Sequence, residues 1–83
     1  MTRHVTPVEK VRTGHTLRVL RQAAGLRQSE LASACGIARQ WMHDIEAGNK
    51  PAGPRLADLF AAIIAPRIRA SEDDVRQLLG KEG

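Results

Sequence analysis

The stretch Gln28-Ser29-Glu30-Leu31-Ala32-Ser33-Ala34-Cys35-Gly36-Ile37-Ala38-Arg39-Gln40-Trp41-Met42-His43-Asp44-Ile45-Glu46-Ala47-Gly48 reads as two short helices joined by a glycine turn. Leu31, Ala32 and Cys35 share one side of the first helix, Gln28 to Cys35, and Gly36 interrupts it. Met42 and Ile45 give the second helix, Ala38 to Ala47, its inward face, and Gly48 stops it. Two such helices cross at a steep angle only where an apolar residue is followed by a small one, here Leu31 and Ala32. The turn needs a residue tolerant of positive φ and then an apolar anchor, and Gly36-Ile37 supplies both. Every one of these positions is filled, in mutual register.

Upstream, Met1 to Val5 forms a short basic arm, and Thr6-Pro7-Val8-Glu9 fits a capping box with Thr6 as N-cap. A helix running from there to Ala24 buries Leu17, Leu20 and Ala24 on one face and stops at Gly25. Gly14 weakens its middle, so a fresh helix starting at Thr13 is the alternative. Downstream, residues 49–53 form a loop, and Pro54 opens a helix with an apolar stripe of Leu56, Leu59, Phe60, Ile63 and Ile64. Pro66 ends that helix, and Arg67-Ile68-Arg69 alternates as a short strand or a linker would. Ser71, followed by Glu72-Asp73-Asp74, then caps a last helix to Leu79 that presents Val75, Leu78 and Leu79. So short a helix needs a surface to pack on, such as a second subunit.

These elements predict an all-α fold of five helices. Residues 1–12 are the arm and first-helix extension, 13–65 the main domain, and 66–83 a segment for dimerisation or partner binding. Eighty-three residues hold one domain at most, leaving no room for an effector-binding domain beside it. With Trp41 and Phe60 the only aromatics, the core is expected to be aliphatic, and its Leu and Ala content favours helices. The net charge of +4 is uneven: residues 1–55 carry nine Lys or Arg against four Asp or Glu, and residues 56–83 four against five. A positive front half suits contact with a phosphate backbone.

A single cysteine, Cys35, excludes an internal disulfide and a multi-cysteine zinc site. No apolar run is long enough to span a membrane and no secretory signal is visible, so the expected location is cytoplasmic. His4, His15 and His43 lack metal-ligand spacing, and no glycine-rich phosphate loop is present. Cys35 occupies an inward position that calls for a small apolar side chain, which argues against a nucleophile. Neither catalysis, a cofactor, a metal nor a small-molecule substrate is expected.

The segments Gln28-Ser29-Glu30-Leu31-Ala32, Gly36-Ile37-Ala38-Arg39-Gln40 and Ile45-Glu46-Ala47-Gly48 resemble the helix-turn-helix of lambdoid phage repressors and Cro proteins, the XRE family. Leu17-Arg18-Val19-Leu20-Arg21 and Gly25-Leu26 match that family's first helix and turn, so the resemblance covers roughly residues 13–64. It implies a lambda-repressor-like domain that binds the major groove of double-stranded DNA as a homodimer, a transcriptional repressor on a palindromic operator. In size and layout the chain is also similar to HipB-like antitoxins, which bind a toxin and carry a strand after the fourth core helix; residues 65–70 would be that strand. The sequence departs from the family at Arg27 and Ala38, where capping residues are usual, and at the bulky Trp41. Each missing cap costs about 1 kcal/mol.

Steps of 100° per residue sort the second helix. With Met42, Ile45 and the stem of Glu46 inward, Gln40, Asp44 and Ala47 face outward, Trp41 and His43 lie on the flanks, and Arg39 projects from the start. The N-terminal residues of such a helix enter the major groove. Arg39 suits a bidentate contact to guanine and Gln40 one to adenine, while Asp44 either accepts from cytosine N4 or pairs with a nearby Arg. Trp41 either covers the side of its helix or meets a thymine methyl or the backbone, and with His43 it completes the candidate base-reading set. Gln28 and Arg27 at the start of the first motif helix, and Asn49, Lys50 and Arg55 after the second, are the candidate phosphate contacts, in part because the resemblance implies them. It also implies an ion pair between Arg21 and Glu46 that orients the reading helix.

Overall fold

A computed structural model describes residues 7–80, and five α-helices make up its framework. They are α1 (Pro7–Ala23), α2 (Gln28–Cys35), α3 (Arg39–Glu46), α4 (Gly53–Ile64) and α5 (Glu72–Gly80), with one 3₁₀ turn, Ala65–Arg67, after α4. The all-α expectation holds. The basic arm and the Thr6 cap lie outside the described residues.

The turn between α2 and α3 forms as its sequence requires. Gly36 adopts φ 71°, its N–H donates to Ser33 O at 3.1 Å, and Ile37 N–H reaches back to Ala32 O at 3.0 Å. That pair of bonds satisfies carbonyls which the last turn of α2 would otherwise leave open. The same pattern closes α1, through Leu26 N–H to Arg21 O, and α3, through Asn49 N–H to Asp44 O. At the start of α2 the absent cap has a substitute. The Glu30 carboxylate accepts from the Arg27 backbone N–H at 2.7 Å, the reciprocal half of a capping box. At Ala38 no side chain caps α3.

Leu17, Leu31, Met42, Ile45, Phe60, Ile64, Val75 and Leu79 are buried in one core to which all five helices contribute. Three expectations change. First, α1 runs unbroken through Gly14, because that residue is a contact point: a Cβ there would fall on the carbonyl oxygens of Ile45 and Glu46. Second, the inward side of α4 comprises Leu56, Ala57, Phe60, Ala61 and Ile64, whereas Leu59 is exposed. Ala57 and Ala61 are buried on this side with the larger residues, and the stripe is rotated away from Leu59.

Third, residues 65–70 are not a strand. Ile68 N–H bonds to Ile64 O and Ala65 O, Ala70 N–H to Ala65 O, and Arg69 takes φ 56°, so the backbone groups a strand would need are committed to a tight turn. The turn folds α5 back onto its own chain. Ser71 Oγ accepts from Asp74 N–H at 3.0 Å to start the helix, and Val75 and Leu79 enter the core against α4 and α1. The surface that α5 needs is supplied within the chain, and Leu78 alone of its apolar trio stays outside. On the rim, Arg76 bridges Asp58 of α4 and Asp73 of α5, and these two carboxylates hold its guanidinium above its ordinary value. Exposed as it is, this bridge contributes little stability.

Candidate nucleic-acid interface

α3 is embedded on one side and open on the other. Met42 and Ile45 are buried against α1 and α2, while Arg39, Gln40, His43 and Ala47 are exposed. Trp41 remains 41% exposed, so its indole only partly covers the helix flank. Asp44 is half-buried, and its carboxylate stands in a chain of contacts. Gln40 Nε2 donates to Oδ1 at 3.2 Å, and Lys50 Nζ lies 3.7 Å from Oδ2. The partner of Asp44 is therefore Lys50, not an arginine. Its backbone carbonyl also accepts from the N–H groups of Asn49 and Lys50, which ties the loop after α3 to the helix.

Behind α3 lies the predicted ion pair. Arg21 Nε donates to Glu46 Oε2 at 2.6 Å and Nη2 to Oε1 at 3.0 Å, a bidentate arrangement. Nη1 donates to Leu26 O at 2.8 Å, and Gln28 Nε2 to Glu46 Oε1 at 3.2 Å. Arg21 of α1 and Gln28 of α2 thus meet on one α3 carboxylate whose side chain is 4% exposed, and Arg21 also holds the α1–α2 turn through the Leu26 carbonyl. The Gln28 amide is therefore shared, with one N–H spent on the protein. Sequence reasoning missed this hub function and the Gly14 contact beside it. Only the pairing of a glycine with a neighbouring inward face hinted at close approach.

Arg27, Asn49, Lys50 and Arg55 are all exposed, as phosphate contacts must be. Arg18 of α1 is exposed too and was not among the predicted contacts. With His43 and Gln28 it lines an open groove of about 390 Å³ between α1, α2 and α3, floored by the Arg21–Glu46 pair. Cys35 is half-buried, and burial pushes its thiol up, so the protonated, weakly nucleophilic form prevails near neutral pH.

A protein-family model described as a helix-turn-helix domain matches residues 12–79, which takes in the motif and all of α5 but its last residue. No curated protein matches the chain significantly.

Proposed function

This chain belongs to the helix-turn-helix domain family, a DNA-binding family, and on that premise we propose that it is a sequence-specific transcriptional regulator, a repressor of the XRE type. The observation that carries the proposal is the division of α3. Its Met42–Ile45 side is locked into the core, and Arg39 and Gln40 stand exposed at its N-terminal end. A helix so mounted presents its exposed side chains from a fixed backbone to a major groove, which is about 12 Å wide and admits one helix. Arg39 reads guanine and Gln40 adenine. Trp41, on the flank, meets a thymine methyl or the adjoining sugar. Arg27, Gln28, Asn49, Lys50 and Arg55 hold the phosphates on either side.

The protein works as a cytoplasmic homodimer on a palindromic site, with half-sites about 34 Å apart. The experiment is selection of bound duplexes from random DNA, followed by binding measurements with Arg39→Ala and Gln40→Ala. Each variant should lose preference at one base pair per half-site, a loss of about 1–3 kcal/mol in discrimination. Unchanged affinity and preference in both variants would remove base reading from α3.

An antitoxin that binds a toxin and represses its own operon has less support. Its structural argument was a pairing strand at residues 65–70, and that segment is a 3₁₀ turn over Ala65–Arg67 followed by a tight turn through Arg69. Copurification of a larger partner, lost on mutation of the exposed Leu78, would restore it.

A further inference from the structure

We infer that the groove between α1, α2 and α3 is a seat for one phosphodiester of the bound duplex, with Arg18 as its cation and His43 and Gln28 as donors. The inference rests on the DNA-binding reading and adds a contact from α1 that the motif alone does not contain. Its basis is the balance of charge and donors around the groove. Arg21 and Glu46 lie at the floor but neutralise one another in a bidentate pair. The remaining polar groups are the Arg18 guanidinium, the carboxamides of Gln22 and Gln28, and the His43 imidazole. All four offer N–H donors, and the Arg18 guanidinium supplies one fixed positive charge, which matches one phosphodiester.

Position identifies the source of that phosphate. His43 and Ala47, on the same groove, continue onto the exposed face of α3. A backbone strand lying beside the groove that α3 enters therefore passes over this wall. The seat is an open surface groove and not an enclosed cavity, which suits a continuous strand better than a trapped small anion. It also reassigns His43. Its side chain lines the groove with Arg18, Arg21 and Gln22 of α1, so it contacts backbone rather than a base edge.

The test measures affinity of the full chain for its selected duplex, and for an unrelated duplex, across a salt series. Arg18→Gln, at an exposed position, should reduce the slope of log K against log salt by about one. Over a fourfold rise in salt its affinity should therefore fall roughly three- to fourfold less than that of the wild type. Both duplexes should weaken by the same factor, leaving base preference intact. His43→Ala should likewise weaken both equally. Arg67→Gln, on the 3₁₀ turn, should leave the slope unchanged.

A wild-type slope and affinity for Arg18→Gln would overturn the seat. So would loss of preference at one base pair in His43→Ala, which would return that residue to base reading. Saturable binding of inorganic phosphate, followed through the His43 ring resonances, would make the groove a small-anion site instead. If the wild-type chain selects no DNA at all, the underlying reading fails first and the seat with it, an outcome distinct from these.

Discussion

Glu46 is tightly held, because its nearly buried carboxylate is met by Arg21 and Gln28 at once. Removing Arg21 leaves that charge with one amide for company, and an uncompensated charge in such a place costs about 3 kcal/mol. Arg21→Ala is therefore expected to lower the urea midpoint sharply, while Arg21→Ala combined with Glu46→Ala costs less than the single change. A double variant less stable than Arg21→Ala would contradict the pairing. Asp44 makes a different kind of prediction. Its carboxylate holds the Gln40 amide and is held by Lys50. If it orients Gln40, Asp44→Ala blurs preference at the base pair that Gln40 reads; if it accepts from cytosine, preference disappears at a separate pair. Selection with the variant distinguishes the two outcomes.

Residues such as these were legible to different degrees. Arg21 and Glu46 were placed through the family resemblance, and Met42 and Ile45 through helical spacing alone. The Lys50 partner of Asp44 was not, because it depends on how the loop folds back after α3. That path is set by the Asn49 and Lys50 N–H bonds to the Asp44 carbonyl, which leave no mark in a periodic pattern.

Among the elements, α1 shows why local propensity misleads. Glycine within a helix normally costs roughly 1 kcal/mol relative to alanine, so Gly14 reads as a flaw. Here it lets the backbone of α1 rest on the C-terminal turn of α3. Gly14→Ala is accordingly expected to destabilise by about 1–3 kcal/mol, the scale of overpacking, against the sign that helix propensity gives. A stabilised variant would mean the two helices are not in close contact. At the other end, α5 was legible in its cap and its acids, but not in its destination. Short amphipathic helices carry no label for the surface they cover, and the packing of Val75 and Leu79 beneath α4 depends on the tight turn at Arg69. Leu79→Ala should cost about 2–5 kcal/mol, measured by thermal melting, whatever the protein concentration. Near-neutrality would show that α5 is peripheral to the core.

At the scale of the whole molecule, the described residues measure 31 × 26 × 20 Å. Half-sites on DNA lie about 34 Å apart, so one copy reaches a single half-site and a palindrome takes two. The distribution of charge fits that arrangement, with basic groups concentrated in residues 1–55 and acids clustered at the start of α5. Whether α3 reads sequence while its surroundings hold backbone is decided by selection from random duplex DNA with wild type, Arg39→Ala and Gln40→Ala. Wild type should enrich a two-fold symmetric site with half-sites about 10 base pairs apart. Each variant, with a melting temperature near that of wild type, should then lose preference at its own base pair in both halves. Enrichment of the same site to the same degree by all three proteins would contradict it.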